Sequence, residues 1–108
     1  ISTPGKNTVE ISDDDKHIKL TDQNKNEIVM NSSGISLSSA KDITLKAKGA
    51  ITIEATSKIN ATAKQDVSLE GLNVKMEAKV SATVKGNAKA ELSASGQTTV
   101  KGAMVMIN

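Results

Sequence analysis

Ile35, Ile43, Ile51, Ile59 and Val67 follow one another at intervals of eight residues, with Leu37, Leu45, Ile53, Ala61 and Leu69 two positions behind them. The rhythm resumes with Val74, Ala82, Ala90, Thr98 and Met106, each followed at the same spacing by Met76, Val84, Leu92, Val100 and Asn108. One step, Leu69 to Met76, is seven, so a single residue has been dropped near Leu72. A fixed period of this kind means one small unit copied along the chain, and such units bury their apolar face only by stacking.

Take Leu37, Leu45, Ile53, Ala61, Leu69, Met76, Val84, Leu92 and Val100 as anchors. Two residues after each stands a very small residue: Ser39, Ala47, Ala55, Ala63, Gly71, Ala78, Gly86, Ala94 and Gly102. The unit is apolar-x-apolar-x-small followed by turn residues. Alternation with period two places the anchor, its apolar partner and the small residue on one face of a strand, with Lys46, Glu54, Thr62, Glu70, Glu77 and Lys85 on the other. A helix is excluded, because eight is a multiple of neither 3.5 nor 3.6. Stretches such as Lys48-Gly49-Ala50, Thr56-Ser57-Lys58, Lys64-Gln65-Asp66 and Ser95-Gly96-Gln97 are predicted to bend the chain every eight residues, the small residue allowing a tight corner.

Composition decides how such strands are buried. The 108 residues include no Phe, Tyr, Trp or Cys, and the 24 Ile, Leu and Val make up about a fifth of the chain, too little for a single copy to offset its chain entropy. Full disorder fits poorly as well, since 14 Lys nearly cancel 12 acids. Three chains wound about one axis bring three thin faces together and close a narrow prism without lateral edges. The fold class expected is therefore all-β: an intertwined homotrimeric three-stranded β-helix, a triangular prism of octads. Its predicted trimer core is Ile35, Leu37, Ile43, Leu45, Ile51, Ile53, Ile59, Val67, Leu69, Val74, Met76, Val84, Leu92, Val100, Met104 and Met106. Four residues before the anchors stand Ser33, Lys41, Gly49, Ser57 and Gln65 in the upper half but Leu72, Val80, Ala88, Gly96 and Met104 in the lower. If these point inward, the axis dries toward the C-terminus, and waters or ions occupy its upper part.

Residues 1–30 keep a different rhythm. Val9 and Ile11, Ile18 and Leu20, and Ile28 and Met30 alternate on three short predicted strands, separated by the polar turns Asp13 to Lys16 and Asp22 to Asn26. This part is expected to be a neck, with Ile1 to Lys6 as linker, following a further domain upstream; residues 31–108 form the needle. The end of the chain, KGAMVMIN, has five apolar residues from Ala103 to Ile107. Met104 and Met106 fall on the inward parity, where flexible thioethers suit a narrow plug. Val105 and Ile107 fall on the opposite parity, and tripled they form an apolar rim.

Chemistry is sparse. His17 is the only His and stands in a polar stretch, so a solvated surface residue is expected rather than a general base or metal ligand. Asp13, Asp14 and Asp15 lack the spaced acids and Gly of a calcium loop. Ser and Thr are plentiful, yet neither a Cys, a second His nor a Gly-x-Ser-x-Gly elbow is present to build a nucleophile, so no enzyme, catalytic residue or metal site is expected and no cofactor is required. A nucleic-acid partner is not expected: charges are evenly mixed, no Arg occurs, and no aromatic can stack a base. No apolar run approaches the roughly 18 residues of a membrane helix.

The occasional Val-x-Gly at 84 to 86 and 100 to 102, the segment HIKLTDQNKNEIVMNSSGISLSSAKDITLKAKGAITIEA and the ending KGAMVMIN together resemble the C-terminal spike of the valine-glycine repeat proteins of type VI secretion systems, and the central spikes of contractile phage tails. The resemblance covers residues 9–108; it departs from that family in that Ala often replaces Gly. It implies a trimeric β-helical needle below an upstream domain that joins it to the tail or secretion tube. It also implies a blunt tip, here Ala103, Met104, Val105, Met106, Ile107 and Asn108, that receives a PAAR-repeat protein. The function it implies is mechanical: a needle, assembled in the cytoplasm and then secreted, injected or carried on a virion tail, that punctures a target cell envelope. The competing expectation is a trimeric fibre or adhesin stalk, which would carry a recognition patch of aromatics or Arg on its shaft; the sequence supplies neither.

Overall fold

A computed structural model describes all residues, Ile1–Asn108. The protein is all-β. It holds no helix, and so none long and apolar enough to cross a membrane. It divides into two units, Ile1–Ile59 and Asn60–Asn108.

The first unit contains the sheet. Strands β1 (Thr8–Ser12), β2 (His17–Thr21), β3 (Glu27–Asn31) and β4 (Gly34–Ser38) form an antiparallel meander in the order β1-β2-β3-β4. The first three strands and the two turns between them lie where the alternation of the sequence predicts. Register follows from pairing apolar with apolar: Val9 faces Leu20, Ile11 faces Ile18, Leu20 faces Ile28 and Ile18 faces Met30. A slip of one residue would carry every one of these side chains to the other face.

Each turn is held by a short polar side chain. Lys16 and Lys25 sit in the left-handed region, at φ of 55° and 69°, closing their respective turns. Asp15 N–H donates to Ser12 Oγ at 3.1 Å in the first. In the second, Asp22 Oδ1 accepts from the main-chain N–H groups of Asn24 (3.0 Å) and Asn26 (2.8 Å), the pattern by which Asp and Asn fold their own backbone.

The first octad pair lies within the sheet. Ile35 and Leu37, expected to open the trimer core, pair with Met30 and Ile28 in β4. Ser33, expected as the first inward polar position, lies in the two-residue hairpin loop with Ser32. Gly34 at φ of 125° and the Asn31 carboxamide, accepting from Ser33 N–H at 2.9 Å, make that reversal possible. The sheet therefore continues past the 30/31 division to Ser38. Residues 1 to 6, expected as linker, turn at Pro4-Gly5 and come back along β1. Ile1 and Val9 exchange two main-chain bonds at 2.7 Å, and Ser2 bridges Thr8.

After Ser38 the pattern changes. In the first unit the chain bends at 40–41, 48–49 and 56–57. In the second it bends at 64–65, 72, 79–80, 87–88, 95–96 and 103–104. Within each unit six residues separate one bend from the next. The residue dropped from the repeat is missing from a bend, because Leu72 bends alone where every other corner takes two residues.

Candidate functional site

Two surfaces stand out, one in the sheet and one along the octads. Val9, Ile11, Ile18, Leu20, Ile28, Met30, Ile35 and Leu37 all lie on one face of the sheet, and none of them is buried. The opposite face carries Glu10, His17, Lys19, Glu27 and a row of Thr and Ser, with Val29 as its one large apolar residue. An antiparallel sheet ordinarily covers its apolar face and wets its polar one. Here the apolar face is bare, and its end opens into a groove of about 530 Å3 lined by Ile1, Val9, Leu20, Ile28, Leu37 and Ile43.

Along the octads each small residue of the predicted row immediately precedes a bend: Ser39 before 40, Ala47 before 48, Ala55 before 56, and so on to Gly102 before 103. Close approach to the following backbone requires glycine at two of these positions, Gly86 and Gly102. A Cβ on Gly86 would collide with the carbonyl oxygen of Lys89 and one on Gly102 would lie a tight 3.2 Å from the Met104 oxygen, whereas one on Gly71 would make an ordinary contact with the Asn73 oxygen at 3.4 Å. Gly49 and Gly96, inside bends, have open space around them. The positions four residues before the anchors, Lys41 through Met104, are the last residue of each bend.

The predicted core residues from Ile43 onward are all exposed, as are the corner residues Leu72 (98%) and Val80 (96%). The main chain is equally bare. From Ile43 to Asn108 no N–H or C=O makes a hydrogen bond within the chain. A folded domain ordinarily holds about one such bond per residue. The predicted tip begins in the last bend: Ala103 and Met104 form it, and Val105, Met106, Ile107 and Asn108 run out from it, with Ile107 91% exposed.

The titratable residues are placed differently from expectation. His17, expected as a solvated residue of a polar stretch, has a side-chain partner. It opens β2, partly covered, with Nε2 2.6 Å from Glu10 Oε2. The antiparallel register sets Ser12 opposite His17, which makes Glu10 a diagonal neighbour on the same face. Lys19 reaches Glu27 at 3.6 Å on that face. Asp22, which carried no expectation beyond a turn, is the best-partnered acid in the chain. The main-chain N–H of Asn26 above all, together with the amides of Asn24 and Asn26, holds its carboxyl below the ordinary value. Asn26 in turn accepts from Ser39 Oγ at 3.0 Å and Ala40 N–H at 3.1 Å. The run Asp22-x-Asn24-x-Asn26 signals a turn in the sequence; nothing in it signals a partner thirteen residues away.

No three acids, imidazoles or thiols converge on one point in the chain. Comparison with known protein families and with curated proteins finds no match to this chain.

Proposed function

We propose that this chain is a structural needle: three copies intertwine through the octads into a β-helical prism that serves as the puncturing spike of a contractile injection machine of the type VI secretion or phage-tail kind. What carries the reading is the main chain from Ile43 to Asn108. It bends at a fixed interval, places an apolar pair in every octad from Ile43 to Leu92 and one apolar residue of the pair in the last two, and leaves every N–H and C=O without an in-chain partner. Such a segment gains little by folding alone, since a single copy has neither ladder nor core to set against its conformational entropy. Interleaving with further copies supplies both at once. Three copies close the assembly without a free edge, and the small residue before each bend lets narrow walls meet.

Rigidity follows from that construction. When each strand pairs only with strands of other copies, bending the rod or peeling one copy away must break many hydrogen bonds together. The exterior mixes Lys, Glu, Asp, Ser and Thr at a net charge of +2 per chain, so passage through an envelope is forced rather than spontaneous. The needle assembles in the cytoplasm and acts outside it or in the target cell, joined by an upstream domain to its tube. Ala103, Met104, Val105, Met106, Ile107 and Asn108 form the tip, where the Met residues close the axis and Val105 and Ile107 offer an apolar rim to a PAAR-repeat protein.

Two measurements test this. Sedimentation equilibrium is expected to give three times the chain mass, and a monomer would end the proposal. A PAAR-repeat protein is expected to be retained by the full chain and lost from a form truncated after Gly102; equal retention by both would remove the tip assignment while leaving the needle standing.

A further inference from the structure

A repeat of eight poorly specifies its own alignment. Sliding one copy by an octad sets Ile43 on Ile51, Leu45 on Ile53 and Ala47 on Ala55, so apolar meets apolar and small meets small. The lone bend at Leu72 is misplaced by such a slip at one level only. An assembly built on the octads therefore needs a start point outside them.

The sheet contains one. Its ladders close within a single chain, so it can form before association, which the octads cannot. Beyond Ser38, only Ser39 and Ala40 are hydrogen bonded to the sheet region, and both bonds go to the side-chain oxygen of Asn26. Asn26 is itself held from behind: its N–H donates to Asp22 Oδ1 at 2.8 Å and its carboxamide nitrogen to Asp22 Oδ2 at 3.1 Å. The Ser39 hydroxyl has one proton to share between Asn26 Oδ1 and the Asp42 carbonyl oxygen at 2.9 Å, and it accepts from Lys41 N–H at 3.1 Å. The first bend is thus clamped at both ends. Of the nine small residues that precede bends, eight are Ala or Gly, and Ser39 is the one with a hydroxyl.

We infer that the Asp22, Asn26 and Ser39 clasp is a register device: it fixes the direction in which the first octad leaves the sheet, so that copies meet in one alignment and the octads zip from residue 40 toward 108. The inference rests on the intertwined assembly proposed above. It gives the exceptional serine a role that size alone does not, since Ala would satisfy the corner equally well.

Ser39→Ala is the informative variant, because it restores the small-residue rule and leaves every apolar position intact. A spin label at Glu54→Cys reports the spacing between copies. Parent protein, Ser38→Ala as control, Ser39→Ala and Asn26→Ala are unfolded in denaturant, diluted and compared for refolding rate, mass and label distances. The parent and control are expected to give one distance population. Ser39→Ala and Asn26→Ala, each of which removes more than one hydrogen bond, are expected to refold at least about fivefold more slowly, the ratio for losing a single such bond from a folding nucleus, and to show added populations displaced by an octad or a loss of assembly. A parent rate and a single unshifted distance in both variants would overturn the register role. A parent that sediments as a monomer would instead overturn the needle itself, so the two failures are distinct.

Discussion

The sheet of Thr8 to Ser38 and the octads of Asn60 to Asn108 are both made of short alternating segments, yet they leave different things unsatisfied. The sheet closes its own ladders and lacks only a cover for one face. The octads lack both ladder and cover. The difference lies in the corners. Asp13 to Lys16, Asp22 to Asn26 and Ser32-Ser33 with Gly34 reverse the chain, because a side-chain oxygen or a positive φ holds each turn and returns the next strand beside the last. The bends of the repeat have no such clamp after Ser39, and the segments they join do not pair. Similar alternation thus yields a self-contained sheet where the turn chemistry reverses the chain, and an unpaired ribbon where it only bends it.

Abolishing a corner is the hardest blow to the octad side of this contrast. Gly86→Val places a Cβ into the Lys89 carbonyl and is expected to reduce stability by about 3 kcal/mol or more, read as a fall in the thermal midpoint. Gly96→Ala, with open space around it, is the matched control and should be neutral or slightly stabilising. If both behave alike, the small residues before the bends are not there for close approach.

Next in size is the bare face of the sheet. Ile28→Asp charges its centre without touching a ladder bond, and is expected to cost assembly in sedimentation while β-sheet dichroism from the single chain persists. An unchanged mass would mean that the face is not covered by other copies.

A smaller effect belongs to Asp22. Its folded pKa lies below the ordinary 3.8, so its contribution is present above that value and is lost as pH falls through the lower folded one. Urea midpoints are expected to drop at the acid end of a titration in the parent and to flatten there in Asp22→Asn. Smallest of all, Lys89→Gln breaks an exposed pair with Glu91 at 2.9 Å and should leave the urea midpoint unchanged.

Much of this was legible in the residues themselves. The row of small residues locates every bend from 40 to 104, and the seven-residue step announces the lone bend at Leu72. Val9 with Ile11, Ile18 with Leu20 and Ile28 with Met30 locate three strands. What escaped depends on pairs distant in sequence or on one special dihedral. The return of Ile1 along β1 rests on bonds to Val9, β4 rests on the φ of Gly34, and the partners of His17 and Asn26 are chosen by register.

The central claim is that the octads are completed by other copies of the same chain. Sedimentation equilibrium of the intact protein across a range of concentrations tests it most directly. A single species of three times the chain mass, undiminished on dilution, is the result expected; a folded monomer at every concentration would contradict it.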